Sequence, residues 1–142
     1  MSEIKEALIQ KFTEIFGYDP IDSYQPRIDN AYKVMCQERG KKSDIIYIND
    51  TSIMSNGKSG LVFTVDSVCV KDAANWDSKF IVKYEDIDYT YHDSSKDRLE
   101  LNTKYDKSYV LSNTVPRHQK DKYMEFIDYA ISLYNENDKL EW

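Results

Sequence analysis

Three groups of side chains in this sequence carry residue types that could do chemistry. They are Gly57-Lys58-Ser59, the two histidines His92 and His118, and the acidic run Glu85, Asp86, Asp88 and Asp93. Gly57-Lys58-Ser59 has the makings of a phosphate loop, in which backbone N–H groups and a lysine cradle an anion. That motif also needs a glycine where Ser52 stands and a helix downstream, so that the helix dipole faces the phosphate. The strand-like Leu61-Val62-Phe63-Thr64 follows instead, and the triplet is read as a turn. Two imidazoles and a lysine could act as acid, base and charge stabiliser in a metal-independent ribonuclease. Such a site needs convergent cations. His92 falls on the polar face of its strand and His118 near a helix start, so both are expected at the surface. Carboxylates spaced like the acidic run could bind a hard cation if several oxygens converged. The run lacks the glycine of a calcium loop, and strand alternation sends neighbouring residues to opposite faces. It is read as a solvated face that can steer a basic partner. No catalytic residue, no metal ligand and no cofactor are expected.

Tyrosine is the dominant aromatic, with 12 Tyr against 5 Phe and 2 Trp. It packs a ring while keeping its hydroxyl wet, which suits thin sheet faces or an adhesive surface. Tyr84, Tyr89, Tyr91, Tyr105 and Tyr109 fall in the strand-rich region. Ile87, Tyr89 and Tyr91 alternate with polar residues and are expected to face inward together. Tyr105 lies in a turn and is expected to be exposed. Cys36 and Cys69 belong to no CxxC pair and are read as buried free thiols, which suits a reducing compartment. The sequence neither supports nor excludes a disulfide between them.

The formal net charge is −6 and the isoelectric point about 4.9. Phosphate recognition needs clustered Lys and Arg, so nucleic acid and anionic membranes are not expected partners. An acidic surface attracts basic proteins. The N-terminal Met1-Ser2-Glu3-Ile4-Lys5-Glu6 is charged where a signal peptide would be apolar, and no apolar run reaches membrane-spanning length. The cytoplasm is the expected compartment, where the sequon Asn49-Asp50-Thr51 has no meaning.

The elements that must position these groups follow from periodicity. Ile4, Leu8, Phe12, Ile15 and Phe16 recur at helical spacing, with Ser2 as a start and Gly17 as a stop. Pro26 opens a second helix whose face carries Ile28, Ala31, Tyr32, Met35 and Cys36, ending at Arg39-Gly40. From Ser43 the pattern changes to seven short strands: Ile45–Ile48, Leu61–Thr64, Val68–Lys71, Lys79–Lys83, Ile87–His92, Arg98–Asn102 and Ser108–Leu111. Turns are expected at Asn56-Gly57, Asp66-Ser67 and Asn75-Trp76-Asp77. Beyond Pro116, an apolar stripe of Tyr123, Phe126, Ile127, Ala130, Ile131 and Tyr134 predicts a long amphipathic helix, with Lys122, Glu125 and Asp128 on its other face. Asn135 to Trp142 reads as a frayed polar tail, with Trp142 able to fold back.

The predicted order of seven antiparallel strands and one C-terminal helix resembles the pleckstrin-homology superfold. Ile45-Ile46-Tyr47-Ile48-Asn49-Asp50-Thr51, Gly57-Lys58-Ser59-Gly60-Leu61-Val62-Phe63-Thr64 and Phe80-Ile81-Val82-Lys83-Tyr84-Glu85-Asp86-Ile87 look like bacterial PH-like domains. The resemblance covers Ser43 to Tyr134 and leaves Met1 to Gly40 outside. It implies an α+β fold with a PH-like antiparallel barrel or sandwich and a C-terminal capping helix over 43–142; the helical periodicity of 1–42 adds a two-helix extension, all in one domain of 142 residues. In general character the chain also resembles bacterial toxin-immunity proteins, including those of contact-dependent growth inhibition.

These readings converge on a non-enzymatic binding protein. The leading expectation is a cytoplasmic immunity protein that covers the active surface of a basic toxin domain. Asp86, Asp88, Asp93, Glu100 and Tyr105 are the expected partner-binding residues. The alternative is a PH-like adaptor for a lipid headgroup or a peptide; the headgroup version needs a basic pocket, for which Lys41, Lys42 and Lys58 are the local candidates and which the global charge opposes. Oligomeric state and the role of the N-terminal helices are left open.

Overall fold

A computed structural model describes residues 3–72, 79–111 and 114–140. Helix α1 spans Glu3–Phe16. It stops at Gly17, whose φ of +83° is the left-handed C′ conformation and whose N–H bonds the Thr13 carbonyl at 2.8 Å. Helix α2, Gln25–Asn30, opens with Pro26 in its first turn and runs into a π-helical turn, Ala31–Met35. The expected second helix is thus shorter and ends differently: the Cys36 N–H reaches back to Ala31, and Gln37 and Glu38 take positive φ.

Four strands form one antiparallel sheet in the order β1-β2-β3-β4: Ile45–Asp50, Gly60–Thr64, Ser67–Lys71 and Lys79–Lys83. Three form a second in the order β5-β6-β7: Ile87–Asp93, Arg98–Thr103 and Ser108–Val110. A short 3-10 turn at Tyr84–Asp86 carries the chain from one sheet to the other. The seven expected strands are all present, but no strand pairing joins the two sheets among the described residues, so no closed barrel forms. Helix α3 spans Lys120–Leu140. The expected frayed tail is helical to Leu140; Ser2, the Asn75-Trp76-Asp77 turn and Trp142 lie outside the described residues.

The first sheet is buried on both faces, which is why β2 and β3 read as continuous apolar runs. On one face Ile46, Leu61, Phe63, Val68, Val70 and Val82 join the main core with Leu8, Phe12, Phe126 and Ile127. On the other, Ile48, Val62 and Cys69 pack under Ala31, Met35 and Cys36. Phe126 of α3 packs tilted against Phe63 at 4.4 Å between ring centres and meets Phe12 of α1 at 5.7 Å. The residues read as an N-terminal extension therefore supply part of the core.

The second sheet buries Ile87, Leu99, Leu101 and Thr103. Its register pairs Ile87 with Thr103 and Tyr89 with Asn102, so Asp88 is an extra residue in a β-bulge. The bulge breaks the alternation that would have placed Ile87, Tyr89 and Tyr91 together. Ile87 is buried, whereas Tyr89 and Tyr91 are 56% and 52% exposed. The expected inward placement of both tyrosines is corrected accordingly.

Candidate partner-binding surface

The bulge turns an aromatic and acidic face outward. On β5 and β6 the facing pairs are Tyr91 with Glu100, Tyr89 with Asn102, and Asp93 with Arg98. Strand β7 adds Ser108 opposite Asn102 and Val110 opposite Glu100. The Ser108 hydroxyl donates to Asn102 Oδ1 at 2.6 Å, and Arg98 pairs with Glu100 at 2.8 Å. These polar bonds hold the platform between two half-exposed phenol rings. Tyrosine offers rigid amphipathic area of the kind that anchors protein interfaces.

The expected binding residues divide in three. Glu100 and Asp93 lie on the tyrosine face. Asp86 and Tyr105 meet at the start of β5, where the 70% exposed Tyr105 donates its hydroxyl to Asp86 Oδ1 at 2.7 Å. That bond to a carboxylate raises the Tyr105 pKa. Asp88 projects from the bulge and is exposed. Strand β5 is about 20 Å long at its seven residues, so Asp86 and Asp93 mark opposite ends of the surface. Asp93 also shapes its turn: Ser95 donates its hydroxyl at 2.6 Å and its N–H at 3.0 Å, and these bonds hold the carboxyl below its ordinary value. Sequence reasoning missed Tyr89, Tyr91 and Asn102 because the alternating pattern contains no sign of the extra residue.

The other candidates resolve differently. The amides around Gly57 do cradle an anion, but it is the chain's own Asp50. Asp50 accepts the Ser52 N–H at 2.9 Å, the Ser52 hydroxyl at 2.5 Å, the Gly57 N–H at 3.0 Å and Arg27 Nε at 3.2 Å. Burial works to raise this carboxyl, and the bonds from Ser52, Gly57 and Arg27 outweigh it and leave it lowered. The phosphate-loop reading fails because the loop is already filled and β2 follows it. Of the lysines considered for a headgroup pocket, Lys42 is paired with Asp29 at 3.0 Å.

His118 is exposed as expected, His92 is half-buried, and the two line one cavity of about 240 Å³ with Ser94, Asp97, Lys120 and Asp121. His92 Nε2 is buried and has no hydrogen-bond partner among the described residues. Lys120 is 5% exposed and already committed, to Asp97 Oδ2 at 2.9 Å and the Val115 carbonyl at 3.1 Å. Its bond to Asp97 lowers that carboxyl. The Lys120 ammonium is thus paired internally. Among the described residues no three His, Cys, Asp or Glu side chains are grouped to hold a metal ion. No helix of the described residues is long and apolar enough to cross a membrane.

Comparison with known proteins finds no matching family model, no matching curated protein and no matching solved structure.

Proposed function

We propose that the chain is a non-enzymatic binding protein that docks a basic protein on the outer face of β5-β6-β7, in the manner of a cytoplasmic immunity protein covering a toxin domain. The observation that carries this reading is the outward pair Tyr89 and Tyr91, set beside Glu100 and flanked by Asp86 and Asp88. Aromatic rings at the centre exclude water and anchor, while carboxylates at the edge raise the encounter rate with a cationic partner. The net charge of −6 acts in the same direction at longer range. The four- and three-stranded sheets with a following helix support the PH-like reading of the scaffold.

The test is capture from the native organism with immobilised full chain, eluted in rising salt and compared with Tyr91→Ser and Glu100→Lys. A single basic protein held by the wild type and lost by both variants supports the proposal. Capture that neither variant alters sinks it. Flotation with anionic liposomes would instead favour a headgroup adaptor.

A further inference from the structure

A second cavity, of about 180 Å³, lies on the far side of the first sheet from α3, lined by Cys36, Cys69 and Ile81 together with Arg39, Asp44 and Asp66. Two thiols separated widely in sequence meet there. Cys36 follows the π-helical turn, Cys69 sits in β3, and both belong to the small core between that turn and the sheet. Both are free and nearly fully buried, at 1% and 2% exposure. The neighbouring Cys36 thiol and burial together raise the Cys69 thiol far above its ordinary value. Lys83 and Asp86 complete the cavity wall, giving three carboxylates against two cations.

We propose that Cys36 and Cys69 form a two-sulfur site for one Cu(I) ion. Thiolates prefer soft ions, and Cu(I) is satisfied by two of them. Zinc wants four ligands, and among the described residues no three His, Cys, Asp or Glu side chains are grouped closely enough to hold a metal ion. The carboxylates Asp44, Asp66 and Asp86 line the cavity and draw a cation toward it, while the two sulfurs in the same lining retain a soft one. Binding breaks two S–H bonds, forms two Cu–S bonds and releases two protons to solvent, with no change in oxidation state. The resulting bis-thiolate carries one negative charge, and Arg39 lines the same cavity to offset it.

The reduced full chain is titrated with Cu(I) under nitrogen against bicinchoninate as competing chelator, and the loaded protein is measured by X-ray absorption. One Cu(I) per chain with two sulfur scatterers is expected. Cys36→Ala and Cys69→Ala should each weaken binding by more than the roughly 10- to 100-fold typical of losing an outer partner, and His92→Ala should leave it unchanged. Failure of the wild type to take Cu(I), retention by the Cys36→Ala/Cys69→Ala double variant, or coordination dominated by nitrogen and oxygen overturns the proposal. If an alanine variant loses its fold by circular dichroism, the wild-type absorption spectrum alone decides.

Discussion

At the scale of single residues, Asp50 organises more of its surroundings than any other carboxylate described. Its oxygens tie Ser52, Gly57 and Arg27 together, and Arg27 in turn holds Asp22 at 3.0 Å. Asp50→Ala leaves those donors without their acceptor and is expected to cost about 2–3 kcal/mol in urea unfolding at neutral pH. The pH dependence has a definite sign. The folded carboxyl lies below its ordinary value, so its contribution is complete above the unfolded value of about 3.9. It is lost as pH falls from there toward the folded value. Urea midpoints followed into acid should therefore decline less steeply for Asp50→Asn than for the wild type. Gly60 gives a steric prediction. At φ +132° an added Cβ would lie 1.9 Å from the Asn49 carbonyl oxygen. Gly60→Ala must shift the β1–β2 pairing and is expected to destabilise by more than about 2 kcal/mol, read as a lowered thermal midpoint.

At the scale of elements, the bulge in β5 separates two readings of the same side chains. Tyrosines buried on the inner face would cost about 3–5 kcal/mol each on truncation, as large aromatic core residues do. Turned outward, Tyr89→Ser and Tyr91→Ser should each stay within about 0.5 kcal/mol of the wild type, measured by chemical unfolding. The helices were legible because their stripes are long: every residue from Tyr123 to Ile131 on the predicted α3 face is buried. The strands were legible because Val, Ile, Phe and Tyr cluster between turn residues. The bulge was not, because Ile87, Tyr89 and Tyr91 keep perfect alternation along their own strand, and the extra residue exists only relative to β6. The same limit hid the thiol pair and the histidine pair, whose members lie on separate elements and line a common cavity only in the folded chain.

At the scale of the whole molecule, α1 shares the core of the β-region. Leu8 and Phe12 are fully buried against residues of both sheets and α3. A chain lacking residues 1–17 should leave Phe126 and Tyr47 uncovered, and it is expected to bind hydrophobic dye and lose its sharp thermal transition. Retention of a cooperative melt would show that the β-region stands alone.

The contact between Phe12 and Phe126 also constrains how the chain is made. During synthesis the ribosome releases α1 first, and its docking partner α3 emerges only after every strand. Until then Phe12 and Phe63 have no complete cover, and the apolar strands β2 and β3 are held in an unfinished sheet. Contacts this distant in sequence slow folding and prolong exposure of aggregation-prone segments. The nascent protein should therefore depend on holding chaperones until α3 clears the exit tunnel, and a stalled chain that stops before α3 should be a substrate for degradation.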